Sequence, residues 1–293
     1  MSQPVVLSVA SSTDVGRCRR INEDAVLASA PVFVVADGMG GHDAGDRASA
    51  IAIQELGRLE AGCAVEDVRD ALALARAEID RLNAHHARRA AGTTVSGLVL
   101  VEQAGEPYWL VLNLGDSRTY HVVAGHACQV SVDHSEVQEL LDQGKLDPVA
   151  AEAYARRHVI TRALGAHTAA RPDYWLMPVR AGERWLVCSD GLTGELDDRK
   201  IADVLIREES AQAAVDQLMG QALEGGGRDN VSVVVVDVIE AGVEIDEPTV
   251  EEILMINRAP AGAESDGPRL EETLVIPRRG DSPRSPASPA ARP

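Results

Sequence analysis

Aromatic residues make up only 3% of the chain, and there is a single phenylalanine. The core therefore has to be built from Ala, Val, Leu and Ile. With 45% hydrophobic residues in 293, there are enough of these for one large domain or two small ones. Cysteine is scarce as well. The four, at 18, 63, 128 and 188, form no C-x-x-C pair, which argues against a zinc site or redox motif and fits the reduced thiols of a cytosolic protein. Long apolar runs are missing. No stretch reaches the roughly 18–20 residues that a membrane helix needs, and the opening MSQPVVLSVASSTD has no basic n-region. A soluble, cytoplasmic protein without a membrane partner is expected. Positive charge is in deficit, with 28 basic against 46 acidic residues and a net charge of −18. The densest basic runs, RCRR and ARR, are short, so nucleic acid is excluded as a partner, whereas cations are favoured.

What is present divides at about residue 240. Eight of the 14 prolines lie beyond residue 241, and the chain ends RRGDSPRSPASPAARP. Residues 1–240 read as the folded unit and 241–293 as a Pro-rich, charged, disordered tail. Within the folded unit, strands are expected at Val5–Ala10, Asp24–Ser29, Val32–Ala36, Thr94–Val101, Tyr108–Leu114, Arg118–Val123, Trp185–Ser189 and Val231–Val238. Val65, Val68, Leu72, Ala75, Ile79 and Leu82 form one helical stripe. Ile201, Val204 and Leu205 form a second, and Val215, Leu218, Met219 and Ala222 a third. Ser135 and Gln138 make a capping box, with Gly144 as the stop. Helices fall in sequential pairs between groups of hairpin-like strands. That order predicts antiparallel sheets covered by helix pairs rather than a doubly wound parallel sheet.

The stretch VFVVADGMGGHDAGDRAS has the look of a phosphate-cradling loop. It fails as a dinucleotide fingerprint because Asp43 stands where the third glycine belongs. It fails as a P-loop because Asp46–Arg47 replace Lys and Ser/Thr. The aspartate itself remains. Asp37 ends an apolar run, and the pattern recurs in LNLGDSR with Asp116, LVCSDGL with Asp190, GGRDNVSVVVV with Asp229 and INEDAVLAS with Glu23 and Asp24. One Asp at a strand end is usually a turn former. Five acidic strand ends brought to one rim could not all stay ionised without cations. The donors are hard oxygens, which select Mg²⁺ or Mn²⁺ over zinc. Two such ions about 4 Å apart suit phosphate-ester hydrolysis.

RRINEDA, VVADGMGGH, AGTTVSGLVL, LNLGDSRTY, VDHSEVQELLDQG, VITRALG, CSDGLTGEL and GGRDNVSVVVV occur in the order and spacing of the metal-dependent, type 2C serine/threonine protein phosphatases, and most resemble the bacterial branch. The resemblance spans about residues 5–239. It implies an α+β fold, a four-layer α/β/β/α sandwich of two antiparallel sheets flanked by antiparallel helix pairs. It also implies hydrolysis of phosphoserine and phosphothreonine by a metal-bridging hydroxide, opposing a serine/threonine kinase. By the same resemblance, Asp37 bridges two Mg²⁺ or Mn²⁺ ions and the Gly38 carbonyl binds the second, while Asp190 and Asp229 hold the first. Glu23 and Asp24 act mostly through water. Asp116, with Asp190, holds a third ion, and Arg19 binds the phosphoryl group. Animal members carry a histidine directly after the Asp-Gly pair, as a proposed general acid. Here that position is Met39, a thioether with no proton to give. His42 is then the nearby candidate acid, with a loop-holding role as the simpler reading.

Other residues read more plainly. Cys18, beside Arg19, is expected to be an inert thiol, Cys188 to lie in the core, and His134 to be structural. The segment GKLDPVAAEAYARRHVITRALG corresponds to the family's substrate-selecting flap. In the tail, RLEETLVIPRR sets Ile276 three residues after Thr273, the spacing that forkhead-associated domains read beside a phosphothreonine, and DEPTVEE offers Thr249 as a second phosphosite. A catalytically silent binding module and a hydrolase of small phosphate esters stay open as rival functions. Every aspartate that the family pattern requires is present, which weighs against the first.

Overall fold

The computed structural model describes residues 5–40, 44–84, 90–152, 154–156, 158–165, 171–241 and 273–275. His42, Thr249 and Ile276 lie outside them. Strands β1 (Val6–Asp14), β2 (Asp24–Ser29) and β3 (Val32–Met39) come first, then helices α1 (Gly45–Leu56) and α2 (Val65–Ala84). Next are β4 (Gly92–Thr93), β5 (Val95–Gln103), β6 (Glu106–Leu114), β7 (Arg118–Val123) and β8 (His126–Gln129). Short helices α3 (Glu136–Asp142) and α4 (Pro148–Glu152) precede β9 (Asp173–Pro178), β10 (Arg184–Cys188), α5 (Asp190–Thr193), α6 (Asp198–Arg207), α7 (Ala211–Gly225), β11 (Val231–Glu240) and β12 (Thr273–Val275).

One sheet runs β1-β11-β10-β7-β8. The other runs β12-β9-β6-β5-β3-β2, with β4 paired to β3. Pairings are antiparallel throughout except that of β12, whose backbone runs parallel to β9 with Thr273 beside Tyr174. Period-2 alternation explains the layering. On β3, Val32, Val34 and Ala36 face α1 and α2, whereas Phe33 and Val35 face the other sheet. On β11, Val231, Val233 and Val235 pack under α5–α7, and Val234, Val236 and Val238 fill the space between the sheets. Four layers result, helix–sheet–sheet–helix, as the resemblance implies. The helical stripes are buried as their spacing predicts. Ser135 Oγ accepts from the Gln138 amide at 3.3 Å, which caps α3.

Half of the eight aromatics are concentrated in one place. Phe33 and all three tryptophans, at 109, 175 and 185, belong to the layer between the sheets. The Phe33–Trp109 and Trp109–Trp185 pairs meet edge-on at 5.9 and 6.4 Å. Buried among them, Glu183 accepts hydrogen bonds from Trp109 Nε1 at 2.7 Å and from the Arg180 amide at 3.1 Å, and it meets His121 Nε2 at 2.8 Å. Glu183→Ala leaves these donors unpaired in an apolar layer, so a loss of about 3–5 kcal/mol is expected. Urea unfolding in the presence of chelator measures it; a midpoint equal to wild type refutes it.

Two expectations needed revision. β1 runs on to Asp14, four residues past Ala10, because its partner β11 is long enough to pair the whole stretch. β8 and β9 were not anticipated, since HACQ and DYWLMP show no clean alternation.

Candidate active site

An antiparallel sheet sets the end of each strand beside the start of the next, so the acidic strand ends fall on one rim. Asp24 opens β2 and lies opposite Asp37 of β3. Asp37 is not itself terminal: β3 continues through Gly38 to Met39, and these two residues pair with Thr93 and Gly92. Asp190 follows β10 and opens α5, Asp116 follows β6, and Asp229 precedes β11. A cleft of about 510 Å³ opens on this rim, with Arg19, Glu23, Asp37, Gly38, Asp190 and Asp229 in its wall. Asp24 and Asp116 are not in the wall. The polar atoms Asp24 Oδ1 and Asp116 Oδ1 are buried and have no hydrogen-bond partner.

The loop before β2 is stitched to the start of β11. Asn230 accepts from the Glu23 amide at 2.9 Å and donates to the carbonyls of Val15 and Ile21 at 3.0 Å each. Ser232 Oγ donates to Asp24 Oδ2 at 2.7 Å, crossing from one sheet to the other. Thr94–Ser117 and Ser96–Thr119 hydroxyl pairs, at 2.8 and 2.9 Å, continue this polar seam behind the rim. Asp37 is held through its backbone: its amide donates to Thr94 Oγ1 at 3.0 Å, and its carbonyl accepts from the Thr94 amide at 2.9 Å and Thr93 Oγ1 at 3.0 Å. Asn230, Ser232, Thr93 and Thr94 were not anticipated as site residues. A polar residue inside an apolar strand was the available signal, at Ser232 and in the TT pair.

Crowding marks the electrostatics. Burial, and then the neighbouring charges of Asp24 and Asp190, push the Asp37 carboxyl well above its ordinary range. Asp116 is raised in the same sense by burial and then by Asp190. Asp190 is raised by burial and then by Asp229. Asp24 is pushed up to about 6, chiefly by burial, against the hydrogen bonds from Ser232 and Ser189. Two arginines line the cleft: Arg19, whose Nη2 donates to Asp229 Oδ2 at 2.6 Å, and Arg228, which pairs with Glu195 at 3.3 Å. His158 also lines the cleft, as does Met39, so the residue after the Asp-Gly pair does face the site.

Among the described residues, no three acidic, histidine or cysteine side chains close around one point as a ready metal cage. Mg²⁺ does not require one, because it keeps several waters and takes only one or two carboxylates directly. The donor set suits such an ion. All of it is oxygen, two buried carboxylate oxygens lack partners, and repulsion among the aspartates is what a cation relieves. Two glycines shape the approach. An added Cβ at Gly38 would overlap the Gly45 carbonyl, and one at Gly45 would lie 2.5 Å from Glu23 Oε1 and 2.9 Å from the Gly38 carbonyl oxygen. The bare backbone at these two glycines is what lets the Glu23 carboxylate and the 38 and 45 carbonyls approach.

A model of the family described as Protein phosphatase 2C matches residues 19–225. The chain belongs to that family. It is 38% identical over 244 residues to the serine/threonine protein phosphatase PstP of Mycobacterium tuberculosis, covering 80% of this chain but 46% of PstP. The chain thus spans about half the length of that relative. Protein phosphatase PhpP of Streptococcus pneumoniae is 30% identical over 250 residues, which are 81% of this chain and 100% of PhpP. Among solved structures, the catalytic domain of PstP in complex with two manganese ions superposes with a TM-score of 0.72 at 35% identity, over 81% of this chain and 100% of that one. The four-layer sandwich is the fold of these relatives. Among the described residues no helix is long and apolar enough to cross a membrane.

Proposed function

We propose that the protein is a Mg²⁺- or Mn²⁺-dependent phosphatase that hydrolyses phosphoserine and phosphothreonine in proteins and reverses the action of a serine/threonine kinase in the cytoplasm. The observation that carries this reading is the meeting of Asp37, Asp190 and Asp229 with Arg19 in the wall of one cleft. The names of the relatives and the manganese in the PstP catalytic domain support it.

In this reading Asp37, Asp190, Asp229 and the Gly38 carbonyl would hold two core ions, with Glu23 and Asp24 acting mostly through water, and Asp116 with Asp190 would hold a third. When bound, the ions supply an activated water and neutralise charge at phosphorus. The chain does the rest. Thr93 and Thr94 fix the Asp37 backbone. Asn230 fixes the loop that carries Glu23. Arg19, at the cleft mouth, has a guanidinium fork that matches two phosphoryl oxygens. His42 stays as the candidate acid, since Met39 gives no proton. Residues 1–240 are the catalytic domain in this scheme. The tail carries Thr273 and Thr249 as kinase sites; Thr273, whose backbone pairs with Tyr174 in β12, would leave that strand to be read by a forkhead-associated domain.

Hydrolysis of a phosphothreonine peptide with Mn²⁺, with and without chelator, tests the reading on wild type and Asp190→Ala. Activity is expected only in the metal-replete wild type. No activity there defeats the enzyme, and full activity in Asp190→Ala defeats the site. Cleavage of a small phosphate ester but not of the peptide would favour the rival substrate class.

A further inference from the structure

The turn that carries Asp116 is gripped from outside its own strand. Gly115 has φ +115°, and an added Cβ there would meet Thr94. Its carbonyl accepts from the His134 amide at 2.8 Å, and its amide donates to His134 Nδ1 at 3.1 Å. His134 thus holds both backbone polar groups of the residue before Asp116. Since Nδ1 accepts, the ring hydrogen sits on Nε2. That nitrogen faces Asp173 Oδ2 at 3.0 Å and donates to it. Asp173 also accepts from Arg162 Nη1, at 3.2 Å through its other oxygen. The 3.3 Å approach of Arg162 Nη1 to His134 Nε2 then joins two donors and is no hydrogen bond. One buried imidazole therefore stands between the Asp116 turn and the Asp173–Arg162 pair.

The segment between Ser135 and Leu164 is moored to the same rim at both ends. Ser135 bridges Ile160, and the Thr161 amide donates to the His134 carbonyl at 2.8 Å. Leu164 pairs with Thr93, whose hydroxyl donates to the Asp37 carbonyl at 3.0 Å. The positions of this segment and of the two aspartates share backbone.

We propose that His134 is a positioning residue: through Gly115 it sets the buried Asp116 carboxylate as a cation ligand, and through Asp173 it couples that ligand to Arg162 and the 135–164 segment. This rests on the reading of Asp116 as the ligand of a third ion. Coupling of this kind runs both ways, so cation uptake at Asp116 and the placement of Arg162 bias each other.

Manganese titration of the full-length chain tests it, alongside kcat and KM on the phosphothreonine peptide. Asp116→Asn abolishes the weakest manganese step if Asp116 is a ligand. An Asn at position 134 puts an amide oxygen where Nδ1 was and can still accept from Gly115. A Gln reaches Asp173 but offers Gly115 nothing. His134→Gln is therefore expected to weaken that same step about tenfold, while His134→Asn stays within about threefold of wild type and raises KM through the lost Asp173 tie. Asp173→Ala, which leaves the ring in place but unanchored, weakens the step by an intermediate factor and keeps the test open should His134→Gln fail to fold. Equal manganese binding in His134→Gln and wild type, or equal losses in the Asn and Gln variants, overturns the positioning role alone. A weakest step that survives Asp116→Asn overturns the third-ion reading, and the positioning role with it.

Discussion

Asp37→Asn is expected to lower kcat/KM on a phosphothreonine peptide by about a thousandfold or more, and to raise the melting temperature of the metal-free protein. The first effect follows from the place of Asp37 in the cleft wall among Asp190, Asp229 and Gly38. Losing the ligand proposed to be shared by both core ions forfeits several kcal/mol of charge stabilisation, and each factor of ten corresponds to about 1.4 kcal/mol. The second effect comes from the same crowding. A carboxyl raised by burial and by Asp24 and Asp190 holds its proton in the folded state at pH values where the unfolded chain has lost it. The folded state then binds more protons, and stability falls as pH rises. The fall begins near the ordinary aspartate value of 3.8 and, for Asp24, is complete just above about 6. In chelator, the wild type should therefore melt lower at pH 8 than at pH 5, by on the order of 5 °C. Asp37→Asn should have a shallower pH dependence, because one of the crowded charges is gone. Added manganese should raise the melting temperature of the wild type and not of the variant. A metal-free variant less stable than wild type at pH 8 would show that the aspartate is held by something other than the crowding described.

Arg19→Ala is expected to cost about a hundredfold in kcat/KM, the usual loss when one charged donor to a developing oxyanion is removed. Arg19 and Asp229 side chains are 51% and 36% exposed, so their 2.6 Å ion pair adds little to stability. The melting temperature should stay within about 1 °C of wild type, which separates this variant from a misfolded one. Arg19→Lys should recover only part of the loss, because an ammonium is a point charge and cannot present the planar fork that matches two phosphoryl oxygens. Wild-type kcat/KM in Arg19→Ala would remove Arg19 from phosphoryl recognition.

The aspartates were legible because each borders a valine- or leucine-rich run, and such a border is visible without coordinates. Asp190 and Asp229 sit where that pattern puts them, just after β10 and just before β11. Asp37 was legible as an acidic break in an apolar run but not as an interior strand residue. The glycines after it resemble a turn, yet pairing of Gly38 and Met39 with β4 keeps the strand going. The scaffold around the aspartates was much less visible. Asn230 joins Val15, Ile21 and Glu23 only because β1 and β11 are neighbours. His134, Asp173 and Arg162 meet only because β9 lies against β6, with Asp173 opposite Asn113. Local patterns report which residues carry chemistry. Which partners hold them is decided by strand order, and strand order leaves little trace in any single stretch.

The closure of the rim also has a timetable. Glu23 waits for Asn230, which is 207 residues further along, and Arg19 waits for Asp229, 210 residues further. At roughly 5–20 residues per second, a ribosome takes about 10–40 seconds to supply the missing partner. Over that interval β2, β3, β5 and β6 can pair, yet β1 has no neighbour and Asp24 no Ser232 to donate to it. Nascent chains therefore carry Asp24, Asp37 and Asp116 long before they carry an assembled site, and dephosphorylating activity should begin only as the last long strand leaves the exit tunnel.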